Sequence, residues 1–199
     1  MQLLPPDNEL WAAFRKGDRV AFAWIYNRNI SELLVYGYRI TNNRQLIKDS
    51  VHDLFLHLWL HRENLSETDS IKFYLFRSLR NRINQNINVC QEISDPDIEN
   101  MLDKVLSELP LENTIIEQEN REDQIRTLKT AIDKLPQRQQ EVIQLRYFHN
   151  FDLEEIASMM HISNQSVRNL LHRSIAQLRI FFEMAGWLFI VIFNIFNKN

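Results

Sequence analysis

Residues 152–178 read DLEEIASMMHISNQSVRNLLHRSIAQL. Asp152 stands ahead of a short run that ends at Met160, where an aspartate can accept hydrogen bonds from the free amides of a first helical turn. His161-Ile162-Ser163 interrupts the period, and Ser163 is placed to cap a second helix. In that helix Val167, Leu170, Leu171, Ser174, Ile175 and Leu178 fall on one face. Asn164, Gln165, Ser166, Arg168, Asn169, His172, Arg173 and Gln177 fall on the other. A short helix, a tight turn and a second helix with an outer face of amides and arginines make the pattern of a helix-turn-helix. The second helix of such a pair fits the major groove, where Arg reads guanine and Asn or Gln reads adenine. A plain helical hairpin shares this periodicity. Ala157 in the first helix and Ile162 in the turn stand where helix-turn-helix packing needs them, and they favour the DNA reader.

Upstream, Arg126 to Phe148 reads as two helices divided at Pro136, a residue that suits the first turn of the second. Leu128, Ile132 and Leu135 line one, and Val142, Ile143, Leu145 and Phe148 line the other. The amino-terminal half is helical by the same criterion. Leu10, Trp11 and Phe14 recur at helical spacing, as do Phe22, Ile25, Tyr26, Ile30, Leu33 and Leu34. Between Gln45 and His61 a single stripe runs through Ile47, Val51, Leu54, Phe55, Leu58 and Trp59. A further helix from Ile71 to Asn88 mixes Phe73, Leu75, Phe76, Leu79 and Ile83 with Lys72, Arg77, Arg80 and Arg82. Cations beside aromatic rings suit nucleic acid, since one neutralises phosphate and the other stacks on unpaired bases; amphipathicity alone also produces the pattern.

Composition agrees with an all-α fold. Three glycines in 199 residues are too few for the turns and phosphate loops of sandwiches, barrels and dinucleotide-binding sheets. The single cysteine, Cys90, excludes a disulfide framework and a zinc site built on paired cysteines. His57 and His61 lie four apart with Asp53 one turn earlier, a ligand-like spacing, but no second cluster completes a coordination sphere. They read as surface histidines. No metal, cofactor or catalytic residue is expected. The first ten residues lack the apolar core of a signal peptide, so the chain is expected in the cytoplasm.

The formal charge of −3 conceals a division. Residues 1–90 carry +3, residues 91–123 carry −9 and residues 124–199 carry +3. Self-repulsion resists packing of the central block, and Pro96 and Pro110 interrupt any long helix in it. The expected organisation is two small helical domains, 1–90 and 124–182, joined by an acidic linker at 91–123, with an apolar tail at 183–199. Met184 to Phe196 has one polar residue in thirteen. That is short of the ~17–20 residues of a spanning helix, so protein binding or folding back is favoured over a membrane anchor.

Two blocks carry a resemblance to the extracytoplasmic-function sigma factors, the minimal type of bacterial transcription initiation factor. Asp49-Ser-Val-His-Asp53-Leu-Phe55-Leu-His-Leu-Trp59 is similar to the conserved helix of region 2. Leu135-Pro136 through Glu141, Val142, Ile143, Leu145, Tyr147 and Phe148, followed by Leu153-Glu-Glu-Ile156-Ala157, resembles region 4. The resemblance implies that Asp49, His52, Asp53, Phe55 and Trp59 dock on core RNA polymerase. It implies that Lys72, Phe73, Arg77, Arg80, Asn81 and Arg82, with the loop 61–70, melt and hold the minus-ten element. Asn164, Gln165, Ser166, Arg168, Asn169, His172 and Arg173 would read the minus-thirty-five element. Partners implied are core RNA polymerase, promoter DNA and an anti-sigma factor, and the linker would thread the polymerase cleft as a mimic of nucleic acid. Two positions depart from the family pattern. His161 replaces the usual turn glycine, which histidine tolerates better than most residues at positive φ. Gln85, Asn86 and Asn88 stand where a basic run usually continues. The competing reading is a stand-alone helix-turn-helix regulator with a helical partner-binding domain, which leaves Asp49 to Trp59 without a task. A helical enzyme or metalloprotein has only His57 and His61 in its support.

Overall fold

The structure, a computed structural model, describes residues 5–87 and 127–183, and every regular element among them is helical. The acidic linker and the apolar tail expected from the sequence lie outside the described residues. The chain divides into two units, Met1–Ser94 with Glu154–His161, and Asp95–Leu153 with Ile162–Asn199.

The first unit contains α1 (Asp7–Arg15), α2 (Arg19–Ile40), α3 (Arg44–His61), a 3-10 turn (Arg62–Asn64) and α4 (Ile71–Ile87). Each boundary has a local cause. Gly17 adopts φ +90, the left-handed conformation that a side chain disfavours, and so ends α1. Asp18 Oδ1 then accepts from the amides of Val20 and Ala21 to start α2. Asn43 Oδ1 accepts from Leu46 N at the start of α3, and Ser70 Oγ accepts from Phe73 N at the start of α4. The loop before α4 is held from a distance: Asp7 Oδ2 accepts from Ile71 N at 3.0 Å, and Trp11 Nε1 donates to the Ser66 carbonyl at 2.9 Å.

Trp11, Phe14, Ile25, Leu33, Tyr36, Ile47, Leu54, Leu58, Leu75, Phe76, Leu79 and Ile83 are buried, and they form the core of this unit. The sequence stripe of α3 holds, with Trp59 at its edge. The stripe read in α2 divides in two. Ile25 and Leu33 face the core, together with Ala21, Tyr36 and Ile40. Phe22, Tyr26, Ile30 and Leu34, spaced by four, form a second row that stays partly or largely exposed. Where α2 crosses α3, Gly37 lies so close that an added Cβ would sit 2.5 Å from Ile47 Cγ2.

The second unit has a helical stretch, α5 (residues 127–133), followed by α6 (Gln137–Ile143) and one π-helical turn (Gln144–Phe148). Pro136 precedes α6, where its missing amide costs nothing, and Gln140 Nε2 donates to the carbonyls of Asp133 and Leu135. The short helix α7 (Leu153–Met160) belongs from Glu154 onward to the first unit, and the second unit resumes with α8 (Asn164–Glu183), which packs against α6. Val142, Ile143, Leu145, Val167, Leu171 and Leu178 are buried. Phe148, expected inside, is 50% exposed. The π turn explains the correction. Its wider pitch, seen in the His149 N to Gln144 O bond of 3.1 Å, advances the inner face by a residue. His149 and Phe151 take the buried places instead.

Candidate nucleic-acid interface and apolar groove

The turn before α8 has the geometry that the sequence demanded. His161 has φ +54, in the left-handed region where glycine is usual. Ser163 Oγ then accepts from Ser166 N at 3.2 Å and shares a 2.9 Å hydrogen bond with Ser166 Oγ, capping α8. Gln165, Arg168, Asn169, His172 and Arg173 are exposed, while Asn164 and Ser166 are half-buried at the cap. Gln165 Nε2 donates to Asn169 Oδ1 at 3.2 Å, so one amide orients the other along the helix surface. Among the described residues neither Arg168 nor Arg173 forms an ion pair. On the opposite face Ser174 is fully buried, and its hydroxyl is satisfied by the Leu170 carbonyl at 2.7 Å. One face holds α8 in its unit; the other carries seven groups able to meet base edges or phosphates.

On α4 the six expected nucleic-acid residues separate. Arg77 is exposed. Lys72 is held by Glu32 at 2.7 Å and lies 5.7 Å from the Phe76 ring, and Phe73 is half-buried. Asn81 and Arg82 are half-buried, and Asn81 Oδ1 lies 2.8 Å from His161 Nε2. Arg80 departs from the expected outer face: it is buried, and its guanidinium donates to the Met159 carbonyl, within the same unit, at 3.0 Å. The position in the helical period explains it, since Arg80 follows the buried Leu79 and lies one turn after Phe76.

On α3 the expected polymerase-facing residues lie along one side. Asp49, His52 and Asp53 are exposed, and Gln45 Nε2 donates to Asp49 Oδ1 at 2.8 Å. Phe55 and Trp59 border a groove of about 490 Å³ between α2 and α3. Its other walls are the second row of α2 (Phe22, Tyr26, Ile30 and Leu34) with Val51 and Leu56, and Lys48 and His52 lie on its border. The rings are ordered against one another: Tyr26 meets Phe55 edge-on at 4.8 Å, and Phe22 lies 5.1 Å from Trp59. Sequence reading missed this groove. The signal was the i, i+4 repeat from Phe22 to Leu34, which a single-stripe reading absorbs into the core.

His57 and His61, also on α3, have ring centroids 4.4 Å apart. Burial first, then His61, then Arg82 hold the His57 imidazole below its usual value. Burial raises the Tyr147 hydroxyl above its usual value, against the opposing pull of Arg146. No group of three or more metal-ligating side chains exists among the described residues. None of their helices is long and apolar enough to cross a membrane.

Two family profiles match the chain: Sigma-70 region 2 over residues 25–88, and Sigma-70, region 4, over residues 125–178. No curated protein matches it by sequence. Among solved structures it is similar to CnrH in complex with the cytosolic domain of CnrY, at 20% identity and a TM-score of 0.57, covering 89% of this chain and 97% of that one. It is also similar to the sigma factor RpoE in complex with the anti-sigma factor NepR from Bartonella quintana. There the identity is 15% and the TM-score 0.55, with 81% of this chain and 96% of that one covered. The all-helical fold is shared with both.

Proposed function

We propose that this chain, which belongs to the sigma-70 family and carries its regions 2 and 4, is a promoter-specific sigma subunit of the minimal extracytoplasmic-function type. It has no catalysis of its own. It binds core RNA polymerase in the cytoplasm and directs that enzyme to promoters. Asp49, His52 and Asp53, with the aromatic groove beside them, form the polymerase contact: the carboxylates and imidazole give orientation, and the groove gives apolar area. Lys72, Phe73, Arg77, Asn81 and Arg82 on α4 hold the melted minus-ten strand. Unpaired bases stack on rings while cations meet the backbone. The exposed face of α8 reads the minus-thirty-five duplex in the major groove. The domains are 1–90 and 124–182, linked by the acidic segment 91–123. An anti-sigma protein, as RpoE has in NepR, covers part of these surfaces when transcription is not required.

The observation that carries this reading is the pairing of two surfaces on one chain. An isolated regulator needs the face of α8 and has no use for the groove and carboxylate edge of α3. Replacing exposed Asp53 with Arg tests it, because the fold does not use that side chain. A pull-down with purified core enzyme should show weakened capture of Asp53→Arg with an unchanged circular dichroism spectrum. Undiminished capture removes α3 from the interface.

A further inference from the structure

Asp7, Trp11 and Arg15 are spaced by four along α1 and so share one face, and each touches the segment from Leu65 to Ile71. Asp7 Oδ2 accepts from Ile71 N at 3.0 Å, Trp11 Nε1 donates to the Ser66 carbonyl at 2.9 Å, and Arg15 Nη1 lies 3.7 Å from a Glu67 carboxylate oxygen. Ile71 N is the first amide of α4. A carboxylate sixty-four residues away thus caps that helix at its positive end, while Ser70 Oγ takes the Phe73 amide. Trp11 is 1% exposed, and its ring also meets Tyr74 of α4 at 5.1 Å. The region 2 profile begins at residue 25, so α1 lies ahead of the matched residues. We propose that α1 is a brace for the loop before α4, in which Asp7 and Trp11 are positioning residues that hold 65–70 in one conformation for strand separation.

The loop has little to hold it from within. Leu65 is its one buried side chain, while Ser66, Glu67 and Asp69 are exposed. Its own hydrogen bonds are short-range. Leu65 N donates to the Arg62 carbonyl at 3.4 Å, and the Thr68 hydroxyl donates to the Ser70 carbonyl at 3.0 Å and accepts from Ser70 N at 3.3 Å. Segments with few buried contacts open locally with ease. The bonds from Asp7 and Trp11 reach the two ends of this loop, at Ile71 and Ser66, and tie it to the core through a buried indole. Arg15 adds little, because its partner Glu67 is 95% exposed and water screens the pair. A loop that must be ordered at the moment it captures an unpaired base loses that entropy from its affinity, and a loop held in advance does not. Unstacking a base is itself unfavourable, so the difference falls on the opening step rather than on docking to polymerase or duplex binding by α8. This inference rests on the reading that loop 61–70 and α4 open the minus-ten element, and it adds the element that keeps them in place.

The test uses holoenzyme carrying Asp7→Ala and a promoter, recovered by run-off transcription, with a fluorescent base analogue in its minus-ten element. Asp7→Ala should slow promoter opening by roughly 3- to 10-fold, the size of one lost hydrogen bond. Its affinities for core polymerase and for a minus-thirty-five duplex should stay at the wild-type values. Asp7→Asn keeps an acceptor for Ile71 N and should restore most of the rate. Arg28→Ala removes the 3.4 Å partner of Asp7 Oδ1, leaves Ile71 N capped, and should open at the wild-type rate. Wild-type opening with Asp7→Ala overturns the proposal, as does an equal loss with Asp7→Asn. Hydrogen exchange on the full chain gives a reading that needs no promoter. The Ile71 amide and the loop amides should exchange faster in Asp7→Ala, and in Trp11→Phe, which keeps a ring in the core and loses the donor to Ser66. Unmoved loop exchange overturns the brace. Ser66→Ala/Glu67→Ala/Asp69→Ala separates the two ideas by removing the exposed side chains of the loop. Slowed opening there, beside wild-type opening with Asp7→Ala, keeps the loop reading and removes the brace. Wild-type opening in both, with faster loop exchange in Asp7→Ala, removes the loop reading as well.

Discussion

Removing the Tyr26 ring tests whether the groove beside α3 is an interface. Tyr26 is 39% exposed, and its inner edge meets Phe55 at 4.8 Å. A tyrosine offers about 200 Å² to burial, so two-fifths of it leaves about 80 Å² for a partner to cover. At about 25 cal/mol per Å² that area is worth ~2 kcal/mol, or about a 30-fold change in affinity. Tyr26→Ala also loses an aromatic edge contact worth about 0.5–1.5 kcal/mol in folding. The large core side chains from Trp11 to Ile83 are untouched, so the unit should still fold with a modestly lower Tm. The assay is equilibrium binding of labelled chain to purified core polymerase, with thermal unfolding measured on the same samples. Leu60→Ala is the matched control, since Leu60 is 63% exposed and does not line the groove. It should shift neither quantity by more than about 0.5 kcal/mol. A folded Tyr26→Ala protein with wild-type affinity would refute the reasoning.

Two further outcomes follow from the same geometry. Gly37→Ala places a Cβ about a methyl radius inside Ile47 and forces α2 from α3. Overpacking of that kind costs about 1–3 kcal/mol, outweighing the ~1 kcal/mol that alanine gains in helix propensity, and a lowered urea midpoint should report it. Arg173→Ala on the free face of α8 should cost about 1–3 kcal/mol on the cognate duplex and relax preference at one base pair. An equal loss on every duplex makes Arg173 a phosphate contact instead.

The helical periods of α3, α4 and α8 were legible because each has one dominant buried face, and burial follows a 3.6-residue repeat. The cap at Ser163 was read from its side chain next to the first amides, whereas those at Asp18, Asn43 and Ser70 have the same chemistry and were found only in the structure. His161 was legible as a left-handed turn residue through the family resemblance, because glycine usually stands at that position. What else escaped was non-local. Lys72 is paired with Glu32 from another helix, and Arg80 is drawn inward to a carbonyl seventy-nine residues away. No spacing rule contains either partner. The second apolar row of α2 was visible as residues but not as a groove, since its other wall comes from α3. Phe148 was misplaced because one π turn shifts the phase of everything after it, and a wide turn has no periodic signature of its own.

Run-off transcription from genomic DNA fragments with purified core polymerase tests the central claim most directly. The account predicts discrete transcripts that appear only when the chain is added, that start downstream of a shared minus-thirty-five and minus-ten pair, and that weaken with Asp53→Arg. Core enzyme that transcribes with another sigma subunit but yields no chain-dependent start sites would contradict it.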